Sequence, residues 1–108
     1  MRTNPTLLAA VSAAQASGST QWNPTGGYLN SFDAQLESAT GTATVDIYVS
    51  NVSKGVGIKI ATLSLSSAQT HDGHSLPKED QGWFFVRGEV SAISGGAIVS
   101  RAAACVGE

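Results

Sequence analysis

Apolar and polar residues alternate along most of this chain with a period of two, the signature of half-buried β-strands. The clearest case is Ala43 to Asn51, where Val45, Ile47 and Val49 fall on one face and Thr44, Asp46, Tyr48 and Ser50 on the other. Tyr28 to Ser38 alternates too, with Asn30, Phe32, Ala34 and Leu36 in one phase and Ser31, Asp33, Gln35 and Glu37 in the other. From Gly57 to Ser66 the phase slips: Ile58 and Ile60 share one face, Ala61, Leu63 and Leu65 the opposite one. The slip predicts a β-bulge near Ile60-Ala61.

Asp80 to Val106 is the most apolar and aromatic stretch. It predicts strands over Trp83–Ala92 and Ala97–Val106, joined as a hairpin by the turn Ser94-Gly95-Gly96. Trp83, Phe85 and Arg87 share one face, and Phe84, Val86, Val90 and Ala92 the other. A two-layer sandwich needs only one apolar face per strand. Bulk on both faces therefore predicts that one end of the outer face is covered, by the N-terminal arm, the long loop Ala68 to Gln81 or another subunit.

Punctuation divides the rest. Asn23-Pro24-Thr25-Gly26-Gly27 is a turn, preceded by a short polar strand candidate, Ser19 to Trp22. Ala68 to Gln81 is polar and predicted as the longest loop. Thr6 to Ala16 suits a strand or extended arm in an otherwise β chain, while its alanines leave a short helix open. Leu7 to Ala14 also has the form of a signal-peptide core, which Asn4-Pro5 and the single Arg2 weigh against. About six strands at intervals of roughly ten residues predict an all-β fold, a single-domain antiparallel β-sandwich or jelly-roll-like barrel. Residues 1–19 form the arm or first strand, and residues 20–108 the sandwich.

Composition narrows the picture. The 108 residues suffice for one core, and hydrophobic content is 42% with much of it alanine. Charged residues are only 13%, about half the usual share, with Ser, Thr, Asn and Gln in their place. Such a surface suits packing against other protein, where buried charge is costly. A net charge of −2 without a Lys/Arg cluster argues against a nucleic-acid partner. No apolar run approaches the length of a transmembrane helix, so no membrane partner is expected. Cys105 is the only cysteine, which excludes an intrachain disulfide and predicts a buried structural thiol.

Candidate chemistry is sparse. Thr70-His71-Asp72-Gly73-His74 could supply ligands to a transition metal, but a structural zinc needs four ligands and a catalytic one usually three. An Asp-Gly turn explains the segment without metal, so no metal or other cofactor is expected. Lys78-Glu79-Asp80 reads as a solvated charge run, and Glu37 and Asp46 as carboxylates on neighbouring strands without a cleft. The chain has no nucleophile elbow and no phosphate loop, so no enzyme activity is expected. The remaining candidates form a protein-interaction surface: Asp46, Tyr48, Trp83, Phe85, Arg87 and Arg101, with arginine favoured at interfaces.

From Gln21 onward the chain resembles small β-sandwich structural proteins of tailed bacteriophage virions, the decoration (cement) and head–tail accessory proteins. The residues that carry the resemblance are Tyr28-Leu29-Asn30-Ser31-Phe32, Ala43 to Asn51, Ile60-Ala61-Thr62-Leu63-Ser64-Leu65, Trp83-Phe84-Phe85-Val86-Arg87 and Ser91 to Ala97. Val52-Ser53-Lys54-Gly55 departs from it, lacking the acidic, Trp-containing loop of many relatives. The resemblance implies a homo-oligomeric capsid decoration protein on the virion surface, with the major capsid protein as partner. Alternatives are a neck, tail or head-fibre protein, or a carbohydrate-binding adhesin-like sandwich using Trp22, Tyr28, Tyr48 or Trp83 as a platform.

Overall fold

The computed structural model describes residues 1–108. It contains eight strands: β1 (Thr6–Val11), β2 (Asn23–Pro24), β3 (Leu29–Leu36), β4 (Thr42–Ser50), β5 (Ile58–Leu65), β6 (His71–Ser75), β7 (Phe85–Ser94) and β8 (Val99–Val106). One 3-10 turn at Lys78–Asp80 is the only helical element. No helix is long and apolar enough to cross a membrane.

The strands form two antiparallel four-stranded sheets, a front sheet β1-β8-β3-β6 and a back sheet β2-β7-β4-β5. Within them β4 pairs with β5, β3 with β6, β2 with β7 and β1 with β8. A long hairpin centred on the β4–β5 loop, rolled so that successive pairs fall alternately in the two sheets, generates this order. It is the jelly-roll arrangement of a β-sandwich. The N-terminal segment is part of the front sheet, with Leu8 buried in the core. Pairing along β8 therefore overrides the helical propensity of its alanines.

One core fills the space between the sheets. Val45, Ile47, Val49, Leu63, Val86 and Val90 enter from the back, and Leu29, Phe32, Leu36, Val99 and Val106 from the front. Alternation along each strand places these side chains inward, and bulges correct the phase where it slips. Ile47 pairs with Ala61 and Tyr48 with Lys59, so Ile60 is the extra residue of a bulge at the expected place. A second irregularity, between the pairs Leu29–Val106 and Ser31–Cys105, turns Leu29 into the core although its sequence phase is polar.

Three expectations are corrected. Ser19 to Trp22 is not a strand; the short strand here is β2, Asn23–Pro24, within the expected turn. The turn Ser94-Gly95-Gly96 does not close a hairpin: β7 lies in the back sheet and β8 in the front, so the turn carries the chain across the sandwich. Each strand finds a different partner, β4 for β7 and β3 for β8. The stretch Ala68 to Gln81 is not one loop. His71–Ser75 forms edge strand β6, in register with Ser31–Gln35.

The sandwich edges are managed locally. On β5 the exposed amide of Ser64 donates to Asp72 Oδ2 at 3.0 Å, tying the two sheets together. On β1 an extra residue at Leu7 and a left-handed Ala10 (φ 53°) interrupt the free edge, a device that discourages pairing with another strand.

Candidate functional site

The outer face of the back sheet carries a second, polar core. On β7 the odd positions Phe85, Arg87 and Glu89 point away from the main core. Even so, Arg87 is 0% exposed and Glu89 3%. The connection from β1 to β2 explains this, because it runs along β7. Gln15 exchanges two 2.8 Å hydrogen bonds with Val90, one through its backbone amide and one through its side-chain oxygen. The amide of Gly18 donates to Glu89 Oε1 at 2.9 Å.

From the other side the β4–β5 loop folds over the same face. Arg87 fastens the two segments. Its Nε and Nη2 donate to the carbonyl of Val56 at 3.1 and 2.7 Å. Its Nη1 donates to Thr20 Oγ1 at 3.1 Å and lies 3.4 Å from Glu89 Oε1. The guanidinium is stacked 4.1 Å from the Tyr48 ring centre and 5.2 Å from that of Trp22, both cation–π distances. Trp22 Nε1 in turn donates to the Gly55 carbonyl at 3.2 Å. Gly57 makes room for the indole: a Cβ there would stand 2.5 Å from Trp22 Cη2. Asp46 is also buried and accepts from Thr62 Oγ1 at 3.2 Å. Its neighbour across the strands is Glu89, not Glu37.

The six interaction candidates are therefore dispersed. Asp46, Tyr48 and Arg87 belong to this clasp, where the guanidinium is engaged on every side. Trp83 and Phe85 are half-buried at one end of the same sheet, and Arg101 is exposed on the front sheet. The outer face is covered by the chain's own Gln15–Trp22 segment, which begins inside the expected N-terminal arm, and by the β4–β5 loop rather than by Ala68 to Gln81.

The end of the sandwich formed by the β2–β3, β4–β5 and β6–β7 connections is chemically distinct. Apart from Met1, every exposed large apolar side chain is here: Tyr28, Val52, Val56, Ile58 and Phe84, each 43–56% exposed. All three lysines, Lys54, Lys59 and Lys78, lie on or beside the same loops. The Phe84 ring covers Gly27, where a Cβ would sit 3.4 Å away. Thr25, buried to 3%, pins the base of this loop cluster: its hydroxyl donates to the Trp83 carbonyl and accepts from the Gly27 amide at 3.1 Å. Thr25→Val keeps the shape and removes both bonds. Urea denaturation should show a loss of about 1–2 kcal/mol, the usual result of unpairing buried polar groups. An unchanged midpoint would mean that the loop is held by packing alone.

The front sheet presents a polar trough of about 540 Å³. Its floor is made of small residues: Ala103 and Cys105 on β8, Ser31 on β3 and Gly73 on β6. Gly73 lets β6 approach β3 closely, since a Cβ there would come within 2.8 Å of Asp33 Cβ. Arg101 and Asn4 stand on one side, and on the other His71 Nε2 meets Asp33 Oδ2 at 3.0 Å. The period of two separates the two histidines. His74 lies across from Phe32, with the rings edge-on at 6.2 Å, while His71 faces the trough beside Asp33. No three His, Cys, Asp or Glu side chains come together as a metal site. Cys105 is partly exposed at the trough floor rather than buried. The trough stayed hidden in the sequence because one of its walls is β6.

Comparison with protein-family models, with curated proteins and with solved structures finds no match to this chain.

Proposed function

We propose that the chain is a non-enzymatic virion structural protein, a capsid decoration protein that seats on the assembled shell through its apolar loop end and stabilises it. One observation carries this reading: the exposed apolar side chains are gathered at one end of a sandwich whose other faces are polar. Contiguous exposed apolar surface rimmed by polar residues marks interaction sites. Tyr28 and Phe84 are of the aromatic type enriched in them. The low charge content reduces the desolvation that docking imposes, and the Arg87 clasp gives the loops a rigid base. Each contact is small, but many copies on one shell stabilise it collectively. The major capsid protein is the partner, and the decorating unit is a homo-oligomer.

The alternative of an adhesin using Trp22, Tyr28, Tyr48 and Trp83 as a sugar platform is less favoured. Trp22 and Tyr48 are stacked on the buried Arg87 and leave no common groove. A neck or tail position keeps the same chemistry at lower copy number.

The test is quantitative analysis of purified particles. The protein should be present in a fixed, high copy number per virion, and a protein confined to host lysate would overturn the proposal. Phe84→Ser and Val52→Ser should keep the melting temperature of the free protein. Each should weaken co-sedimentation with shells by roughly tenfold or more, as for truncation of an interface anchor.

A further inference from the structure

We propose that the trough on the front sheet is a saccharide-binding site, separate from the loop end that docks on the shell. It is a concavity of about 540 Å³, within the range of small-molecule sites. Its chemistry is what distinguishes it.

A sugar hydroxyl both donates and accepts, so a surface that recognises it needs donors and acceptors within reach of one ring. Arg101 supplies donors: its one hydrogen bond within the protein is a long 3.5 Å contact from Nη2 to the Asn4 carbonyl, and no carboxylate pairs with it. Asp33 supplies acceptors, with Oδ2 fixed by His71 and Oδ1 open. Ser31 and Ser75, which can do both, line the same space. Between the walls, the partly exposed Cys105 offers a small apolar surface to the C–H face of a pyranose.

Charge argues for this ligand class over phosphate or nucleic acid. Arg101 and Asp33 line the trough, and the nearby Asp72 is occupied by the Ser64 amide. A polyanion gains little from such a balanced site, whereas a neutral polyol can use both walls. Asp33 and His71 are also more than half exposed (52% and 58%). They exchange water for hydroxyl with little net gain, so a Kd on the order of a millimolar is expected. The site does not depend on the shell-docking reading. On a decorated particle, though, weak sites repeated over the surface would act together.

Titration of the intact, soluble protein, followed by amide NMR shifts, tests the site without any particle. The probes are glucose, galactose, N-acetylglucosamine, glucuronate and N-acetylneuraminate, with inorganic phosphate as the control anion. At least one sugar should give saturable shifts at Asn4, Asp33, Gly73, Arg101 and Ala103. Arg101→Ala and Asp33→Ala should each weaken that binding tenfold or more at unchanged melting temperature. Arg101→Lys, which keeps the charge and loses the planar fork, should fall between wild type and alanine. Three results would each overturn the proposal: no saturable shift with any sugar, shifts confined to the Tyr28–Phe84 loop end, or phosphate binding as tightly as the best sugar.

Discussion

Arg87→Ala should destabilise the protein by about 3–5 kcal/mol, the usual consequence of removing one partner from a buried ion pair. Glu89 would then be left 3% exposed without its cation, and the Val56 carbonyl without its two donors. Domains of this size have total stabilities of roughly 5–15 kcal/mol, so the variant would sit close to unfolding. The loss is measured as a lower urea midpoint at constant slope. Amide exchange should also speed up at Gly18 and Gln15 before the core opens, because their anchors, Glu89 and Val90, directly follow the Arg87-Gly88 step on β7. The double variant Arg87→Met, Glu89→Met should recover much of the loss, since it leaves no buried charge unpaired. A loss below about 1 kcal/mol for Arg87→Ala, the value typical of an exposed pair, would show that the clasp opens to water and contributes little.

A second large effect is expected at the opposite end. Gly41, in the β3–β4 turn, has φ +74° and packs on the β7–β8 crossing. A Cβ on it would collide with the Ser94 carbonyl and stand 2.8 Å from the Ala97 amide nitrogen. Both contacts are backbone and cannot rotate away. Gly41→Ala should therefore cost about 3 kcal/mol or more, combining left-handed strain with displacement of the crossing. Gly55→Ala is the control. It shares the left-handed backbone at φ +79° but has nothing within 4 Å of the added Cβ, so its cost should be about 1–2 kcal/mol from strain alone. Equal losses in the two variants would show that the turn and the crossing are not mechanically joined.

Which elements could be read in advance follows from what each residue faces. β3, β4, β5 and β8 were legible because each has one side chain in two against the core. The Ile60 bulge showed for the same reason, as a slip in that rhythm. β6 had no such mark: His71, Asp72, Gly73, His74 and Ser75 form an edge strand with no large apolar residue, and its pairing partner β3 lies some forty positions earlier (His71 bonds to Asp33, 38 residues away). Ser94-Gly95-Gly96 announced a reversal of the chain but not its plane. Competition among β4, β3 and their neighbours decides whether the next strand pairs alongside or crosses to the other sheet.

Arg87 illustrates the same limit at the level of sites. An arginine at an outward strand position reads as solvated or as part of an interface. Its burial depends on Val56 and Thr20, 31 and 67 positions away. The bulk of Trp83 and Phe85 on its face did signal that something must cover that face. What covers it is set by chain connectivity, which local pattern does not encode.

The rolled order of the strands has a consequence for synthesis. β8 is the last strand in the sequence, yet it occupies an interior position of the front sheet, between β1 and β3. Until it has left the ribosome, β1 has no partner in its sheet, and β3 exposes one edge. The back sheet β2-β7-β4-β5 and the β3–β6 pair can form before then, but the front sheet stays split until Val99 to Val106 emerge. Folding dominated by such distant pairings is slow, on the order of milliseconds to seconds. The sparing use of bulky apolar residues has a second benefit here, since it lowers the risk of aggregation while the sheet waits for its central strand.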